Sequence, residues 1–177
     1  MKNLMIDLET LGTEPDAPII SIGAVFFDKK GLGEDFQVNL DINQQIKDGR
    51  KMTGDTFKWW LEQENAAKRV FKESATSTMW GLQLFYNWAF EQCSPRTMCP
   101  WGNGATFDIS IMENILNQYD VEIPWRFWNI RDLRTFKEYV HDGKNVQFQG
   151  TPHNALDDAK HQARMVIAGL NQQASLL

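Results

Sequence analysis

Five side chains spread along the chain are of the types that cooperate in metal-assisted hydrolysis. Asp7 and Glu9 lie near the N-terminus, Asp108 lies in the middle, and His153 and Asp158 lie near the C-terminus. Carboxylate oxygens are the ligands that hard divalent cations prefer, and an imidazole beside them can accept a proton near neutral pH. If the fold brings the five together, they form a site suited to hydrolysing a phosphodiester bond.

The two N-terminal acids belong to a segment that is typical of a β-strand. Because successive strand side chains point to opposite faces, Asp7 and Glu9 share one face and Leu8 takes the other. Two acids on one face of an apolar strand are costly to bury unless a cation lies between them. A strand end carrying two solvated acids is the alternative, and this pair alone does not decide between the two.

Asp108 stands where a Gly-Asn-Gly-Ala-Thr turn ends and a helix is predicted over 107–119. An aspartate at such a position is commonly a helix cap or a first-turn charge that complements the helix dipole. Taken alone, Asp108 is therefore better explained by capping than by metal binding.

His153 and Asp158 belong to the most constraining motif. Five helical residues turn the chain through about 500°, so the two side chains could not share a face if both were helical. Asn154 is a good N-cap, and Asp157 gives a box-like start to a helix predicted over 154–172. His153 then lies in the entry loop and Asp158 in the first turn, where the two can converge. Because Asp157 has an adequate structural role, we assign metal binding to Asp158.

The hydrophobic pattern elsewhere predicts strands first and then a mixture of strands and helices. Strands are predicted over 3–7, 19–27, 36–40 and 98–102, with a further short strand over 127–130. Turns over 12–18 and 28–33 make the first three strands an antiparallel meander. Helices are predicted over 56–63, 65–72, 77–92, 107–119, 132–141 and 154–172. This order favours the α/β class, with helices packed against a mixed sheet.

Length and composition predict one domain covering residues 1–177. No apolar run approaches the roughly 18 residues that span a membrane, and an acid at position 7 interrupts any signal-peptide core. We therefore expect a cytoplasmic protein, in which Cys93 and Cys99 remain thiols. The net charge of −5 permits a nucleic-acid partner without arguing for one, because two divalent ions would offset the charge of four acids.

In order and in residue type, three motifs resemble the DEDDh exonucleases, the superfamily of ribonuclease T and of the proofreading subunits of DNA polymerases. The motifs are Asp7-x-Glu9-Thr10 on the first strand, Phe107-Asp108 at a helix start, and His153-x-Ala-x-x-Asp158 near the end. Each motif alone is weak, but together they extend over nearly the whole chain. Residues 56–60 and 127–132 further resemble a subgroup that contains phage exonuclease A and a mycobacterial exoribonuclease.

The resemblance implies a ribonuclease H-like mixed β-sheet flanked by α-helices and a metal-dependent 3′–5′ exonuclease. The four acids would bind two Mg²⁺ or Mn²⁺ ions, and His153 would take a proton from the attacking water. Nucleoside 5′-monophosphates would leave one at a time from the 3′ end of single-stranded DNA or RNA. We expect DNA by a small margin, because the phage relatives favour DNA whereas the mycobacterial relative favours RNA.

The resemblance also suggests residues that would bind the substrate. Thr10 and Leu11 would meet the terminal nucleotide, with Leu11 wedged against the last bases. Trp60 and Phe107 would offer aromatic faces, which stack on any unpaired base. Arg131 would contact a phosphate, although an ion pair with a neighbouring acid explains it equally well. Core packing is the alternative for at least one of the tryptophans at 59 and 60.

Two other classes of function stay open at this point. An exonuclease-like domain can lose catalysis and keep its contacts with nucleic acid, but such a loss usually removes one of the five residues, and all five are present. A phosphodiesterase for a small nucleotide or short oligonucleotide is the other class. A homodimer is compatible with the resemblance, because related enzymes often form dimers.

Overall fold

Five strands form one mixed sheet in the computed structural model, which describes residues 1–140 and 145–174. They are β1 (Asn3–Thr10), β2 (Ile19–Asp28), β3 (Gly31–Asn39), β4 (Cys99–Gly102) and β5 (Arg131–Asp132). Their order across the sheet is β3-β2-β1-β4-β5. The first three strands are antiparallel, which confirms the predicted meander, and β4 and β5 continue the sheet in parallel with β1.

Six α-helices and two short 3₁₀ segments complete the described fold. The helices are α1 (Ile42–Lys47), α2 (Gly54–Glu62), α3 (Thr78–Gln92), α4 (Asp108–Gln118), α5 (Leu133–Tyr139) and α6 (Ala155–Ala174). The 3₁₀ segments are Ala67–Lys72 and Phe127–Asn129. Within the described residues, no helix has the length and apolar character needed to cross a membrane.

Two apolar layers cover the two faces of the sheet and place the acids of β1. Leu4, Ile6 and Leu8 pack in the layer that contains α3 and α4. Met5 packs in the opposite layer, with α6 and Leu133 of α5. Because side chains alternate along a strand, the odd-numbered acids that follow Met5 face α6. This is the α/β sandwich expected of the ribonuclease H-like class.

Several elements differ from the prediction, each for a physical reason. β3 begins at Gly31 rather than at 36, because it is an edge strand whose early residues are largely solvated and lack a hydrophobic pattern. The segment 65–72 forms a 3₁₀ segment rather than a regular α-helix, and 127–130 forms a 3₁₀ turn that precedes the actual strand β5. The predicted helix over 132–141 is α5, and position 141 lies outside the described residues.

The short helix α1, which the hydrophobic pattern does not predict, and Arg50 after it support the loop that follows β1 through buried polar side chains. The amide of Gln45 accepts a hydrogen bond from Ile19 N at 2.8 Å and donates one to Ile19 O at 2.7 Å. Arg50, only 3% exposed, donates to the carbonyl of Ala17 through Nε and Nη2. These bonds satisfy main-chain groups that would otherwise be buried without a partner, and they fix the start of β2 beside the end of β1.

Candidate active site

All five predicted catalytic residues line a single cavity of about 560 Å³. It opens at the end of β1, between α6, the loop that follows β4, and α2. Its other polar and aromatic lining comes from Thr10, Thr13, Asp55, Thr56, Trp59, Trp60, Asn103, Phe107, Arg134 and Gln162. The structure therefore brings together the residues that the sequence spreads over some 150 positions.

The two acids of β1 differ in their surroundings. Glu9 is 7% exposed, and no hydrogen bond or ion pair of its carboxylate is found among the described residues. One oxygen of Asp7 accepts a hydrogen bond of 2.6 Å from the amide Nε2 of Gln162, which projects from α6. The alternative of two solvated acids at a strand end does not describe this pair.

Asp108 connects the ends of two strands rather than capping its own helix. Its Oδ1 accepts from Leu8 N of β1 at 3.3 Å, and its Oδ2 accepts from Asn103 N, just after β4, at 3.0 Å. The side chain is 3% exposed. Asp108 therefore does not cap α4, which was the role favoured by its place in the sequence. Its carboxylate is turned toward β1 instead.

The entry to α6 has the predicted geometry. Asn154 Oδ1 accepts from Asp157 N at 3.1 Å, which is the N-cap interaction, and Asp157 also accepts from Thr151 N at 2.8 Å. His153 lies in the entry loop with a φ of 61°, and its N–H donates to Asp158 Oδ2 at 2.8 Å. The metal-ligand candidate therefore also fixes the backbone that carries the histidine.

A glycine of β2 lets this helix start approach the sheet. Gly23 is the register partner of Asp7. A β-carbon at residue 23 would lie closer than 3.0 Å to backbone atoms of Ala155 and Leu156, a separation that real β-carbons essentially never show. The α6 N-terminus therefore rests directly on β2, and this contact sets the distance between His153 and the acids of β1.

Three of the five residues lie close enough together to bind one metal ion. One ligand atom each from Glu9, His153 and Asp158 lies within 4.8 Å of the other two. Asp7 and Asp108 line the same cavity but lie outside that group of three. Both of these outer acids are held by neutral donors, from Gln162 and from main-chain N–H groups respectively.

The cavity raises the pKa of all four acids. Burial, followed by the charges of Asp158 and Asp108, raises the pKa of Glu9 to about 8. Burial raises the pKa of Asp108 to about 7 despite its main-chain hydrogen bonds, and it raises the pKa of Asp7 well above its usual range. Burial also raises the pKa of Asp158. Crowded, poorly solvated carboxylates of this kind suit a divalent cation, which would supply the missing positive charge.

Two tryptophans of α2 form a wall beside His153. The ring of Trp59 meets the imidazole edge-on at a centroid distance of 5.0 Å, and Trp60 lies 6.4 Å from it. Trp60 is 2% exposed and donates from Nε1 to Thr10 O at 2.8 Å, whereas Trp59 is 40% exposed. Trp60 is thus the core aromatic of the pair, and Trp59 presents its ring to the cavity.

Three of the five residues predicted to bind substrate line the cavity, namely Thr10, Trp60 and Phe107. Leu11 does not: it is 5% exposed and packs with Ile20 and Trp60 beneath α2. Arg131 does not either, because its Nη1 donates to the carbonyls of residues 128 and 130. No ion pair of Arg131 is found among the described residues. Its contact with a phosphate stays a prediction.

Trp59, Gln162 and Arg134 are among the cavity residues that sequence reasoning missed. Trp59 and Trp60 are adjacent and equally aromatic, so nothing local indicates which of them is exposed. Gln162 lies four positions after Asp158, one helical turn further along α6, and this spacing could have indicated it. Arg134 lies three positions after Arg131, and only the actual boundary between β5 and α5 distinguishes the two arginines.

Comparison with known sequences identifies relatives. The family described as the 3′–5′ exoribonuclease Rv2179c-like domain matches residues 2–170. An exodeoxyribonuclease of Enterobacteria phage T4 is 27% identical over 183 aligned positions, which cover 89% of this chain and 80% of the phage protein.

Solved structures with the same fold include two nucleases. The nuclease domain of 3′hExo, a DEDDh family member bound to rAMP, has a TM-score of 0.61 and 16% identity, with 96% of this chain and 92% of that one covered. Exonuclease I of E. coli, in complex with a dT13 oligonucleotide, has a TM-score of 0.68 and 14% identity. The match covers 98% of this chain but 42% of exonuclease I. These solved structures share the fold of this chain, and one of them is a DEDDh family member. The chain belongs to the Rv2179c-like 3′–5′ exoribonuclease domain family.

Proposed function

We propose that this protein removes nucleoside 5′-monophosphates from the 3′ end of single-stranded nucleic acid, with a preference for DNA, using two Mg²⁺ or Mn²⁺ ions. One observation carries the proposal: Glu9, His153 and Asp158 converge within 4.8 Å in a cavity that Asp7 and Asp108 also line. This constellation combines a hard-cation donor set with a proton acceptor, as phosphodiester hydrolysis requires.

The four carboxylates would hold the divalent ions. Asp7, Glu9 and Asp158 would offer oxygens to one ion, and Asp7 and Asp108 would offer oxygens to the other. The chemistry that bound divalent ions supply is charge stabilisation at the phosphate and activation of the attacking water. The donor set fits because the cavity crowds acids whose charged forms are poorly solvated.

His153 is suited to accept the proton of that water. Its position on the entry loop is fixed by the hydrogen bond from its N–H to Asp158 and by the edge-on contact with Trp59. As the water oxygen bonds to phosphorus, the bond from phosphorus to the 3′-oxygen breaks. The proton passes to His153, and the 3′-oxygen leaves on the shortened strand.

Exposed aromatic rings support a single-stranded substrate. Trp59 and Phe107 line the cavity with part of their surface accessible. Unpaired bases stack on such rings without regard to base identity, whereas bases inside a duplex are already stacked on both faces. Successive bases of a single strand can therefore reach these rings, whereas a duplex offers only the outer face of its last pair.

DNA is the preferred substrate in this proposal because the T4 relative is an exodeoxyribonuclease. RNA is the second candidate, since the matching family is described as an exoribonuclease domain and the 3′hExo domain binds rAMP. A protein that is specific for one of the two must distinguish the 2′-hydroxyl. The choice is therefore a direct question for experiment.

The test uses single-stranded DNA and RNA of one sequence, labelled at either end, with Mg²⁺, Mn²⁺ or EDTA. We expect 5′-labelled DNA to give a ladder that shortens from the 3′ end, and EDTA to abolish it. Glu9→Gln should be inactive, whereas Glu138→Gln, which changes an exposed acid outside the cavity, should match the unmodified protein. Faster degradation of RNA would reverse the sugar preference. Binding of both strands without cleavage would leave a nucleic-acid-binding module in place of the enzyme.

A further inference from the structure

The active-site cavity contains one permanently cationic side chain among its described lining residues, that of Arg134. Its other charged lining groups are five acids, Asp7, Glu9, Asp55, Asp108 and Asp158. Arg134 is exposed, and no salt bridge of its guanidinium is found among the described residues.

The start of α5 holds Arg134 at a defined place. Asp132 is the N-cap of α5, and its Oδ1 accepts from the N–H and the hydroxyl of Thr135 at 2.7 and 2.9 Å. Its other oxygen accepts from Ala105 N at 2.6 Å. One carboxylate therefore joins the first turn of α5, which contains Arg134, to the loop between β4 and α4.

The guanidinium lies against the backbone of that loop. A β-carbon at Gly104 would lie 3.3 Å from Cζ of Arg134, which is tighter than most β-carbon contacts, and at ordinary contact distances of 3.4 and 3.5 Å from its Nε and Nη1. Gly104 also has a φ of 111°, a conformation that glycine adopts without strain. The glycine thus provides a surface on which the planar group can rest while it stays accessible to solvent.

Arg134 lies on the Asp108 side of the cavity. Its charge is among the causes that lower the pKa of Asp108. Of the four acids that would hold the ions, Asp108 is on the Arg134 side, whereas Glu9 and Asp158 converge with His153, the proposed proton acceptor. A strand whose terminal linkage lies beside His153 would extend other phosphates along the cavity, and a guanidinium is well suited to bind one.

We propose that Arg134 binds a backbone phosphate of the substrate strand next to the linkage being hydrolysed, not at it. This inference rests on the proposed exonuclease function. It assigns the phosphate contact to Arg134 rather than to Arg131, which donates to main-chain carbonyls outside the cavity. Arg134 also supplies an attraction for nucleic acid that the net charge of −5 does not.

The test removes the arginine and, separately, the charge of individual phosphates. Oligonucleotides carry one neutral methylphosphonate at the second or third linkage from the 3′ end, and release of the first nucleotide gives kcat/KM. Arg134→Ala should lower kcat/KM by about tenfold on the natural strand. Hydrogen bonds between charged groups contribute a range of free energies, and a bond that stays exposed to solvent lies at the weak end of that range. The same variant should lose almost nothing further on a strand that lacks the contacted charge. Arg134→Lys should retain part of the effect, because lysine keeps the charge without the planar fork.

Controls separate the possible outcomes. Arg126→Ala, which removes an exposed arginine outside the cavity, should match the unmodified protein on every strand. Fluorescence anisotropy with Ca²⁺ in place of Mg²⁺ should show the same loss of strand affinity in Arg134→Ala, with an unchanged melting temperature.

Equal loss of rate in Arg134→Ala on natural and modified strands would overturn the inference, and so would no loss at all. A charge-dependent loss in Arg131→Ala instead would return the contact to that residue. An unmodified protein that cleaves no strand would refute the proposed exonuclease, which is a different result from an active enzyme indifferent to Arg134.

Discussion

The contact between Gly23 and the start of α6 makes a demanding prediction about Gly23→Ala. The new methyl group would lie closer than 3.0 Å to backbone atoms of Ala155 and Leu156, whereas ordinary contacts begin at 3.4 Å. Backbone cannot rotate away as a side chain can, so the helix start must retreat by more than 0.4 Å. That shift moves His153 and Asp158 away from Asp7, the register partner of Gly23. A misplacement of about 1 Å can cost roughly a hundredfold in rate, so we expect kcat to fall ten- to a hundredfold.

The assay follows release of a fluorescent 3′-terminal nucleotide, together with thermal unfolding. Overpacking of this kind should also cost about 1–3 kcal/mol of unfolding free energy. Gly54→Ala is the matched control, because a β-carbon there would meet no atom within 4 Å and the residue lies in the first turn of α2. It should keep full activity and gain slightly in stability. A Gly23→Ala protein as active and as stable as Gly54→Ala would refute the positioning argument.

Four further predictions concern the site itself. His153→Ala should reduce turnover strongly while Mn²⁺ affinity, measured by calorimetry, stays within a few-fold; a comparable loss of metal would make the imidazole a ligand instead. Asp7→Ala should abolish cleavage, and metal-dependent activity in that variant would exclude a shared ligand at this position. Without metal, Glu9 has a pKa of about 8 in the folded protein and an ordinary value of 4.5 in the unfolded chain. Between these two pH values the folded state therefore keeps a proton on Glu9 that the unfolded state has released. Stability should therefore fall as the pH rises from 4.5 to 8, and Mg²⁺ should raise the melting temperature more at pH 8.5 than at pH 6. Glu9→Gln should weaken both trends without removing them, because burial also raises the pKa of Asp7, Asp108 and Asp158. Trp59→Ala should raise KM and alter the pH profile of kcat/KM, whereas Trp59→Phe, which keeps an aromatic edge against His153, should preserve the profile.

The convergence at the C-terminal motif could be predicted because capping chemistry is local. Asn154 and Asp157 determine where α6 begins, and that start alone places His153 in the loop and Asp158 in the first turn. Likewise, the alternation of β1 indicates which face carries the two acids, since a strand has only two faces.

Residues whose role depends on packing between distant segments could not be assigned in this way. Leu11 comes directly after the Asp7-x-Glu9-Thr10 motif, and its apolar side chain could serve either the substrate or the core. Only its burial beneath α2 shows that it packs in the core. Arg131 and Arg134 differ by three positions, and the end of a two-residue strand decides which of them reaches the cavity. The support from Gln45 was also hidden, because a polar residue in a short helix usually faces solvent and this one is fully buried.

The hydrogen bond from His153 N–H to Asp158 has a consequence for how such a site decays. Asp158 belongs to the group that could bind a metal ion, and it also accepts the hydrogen bond that fixes the loop carrying His153, the proposed base. A lineage that loses this carboxylate would lose part of its metal set and the placement of its base in one mutational step. A lineage that loses His153 would keep the four carboxylates that would bind the ions. Another side chain could later take over the activation of the attacking water.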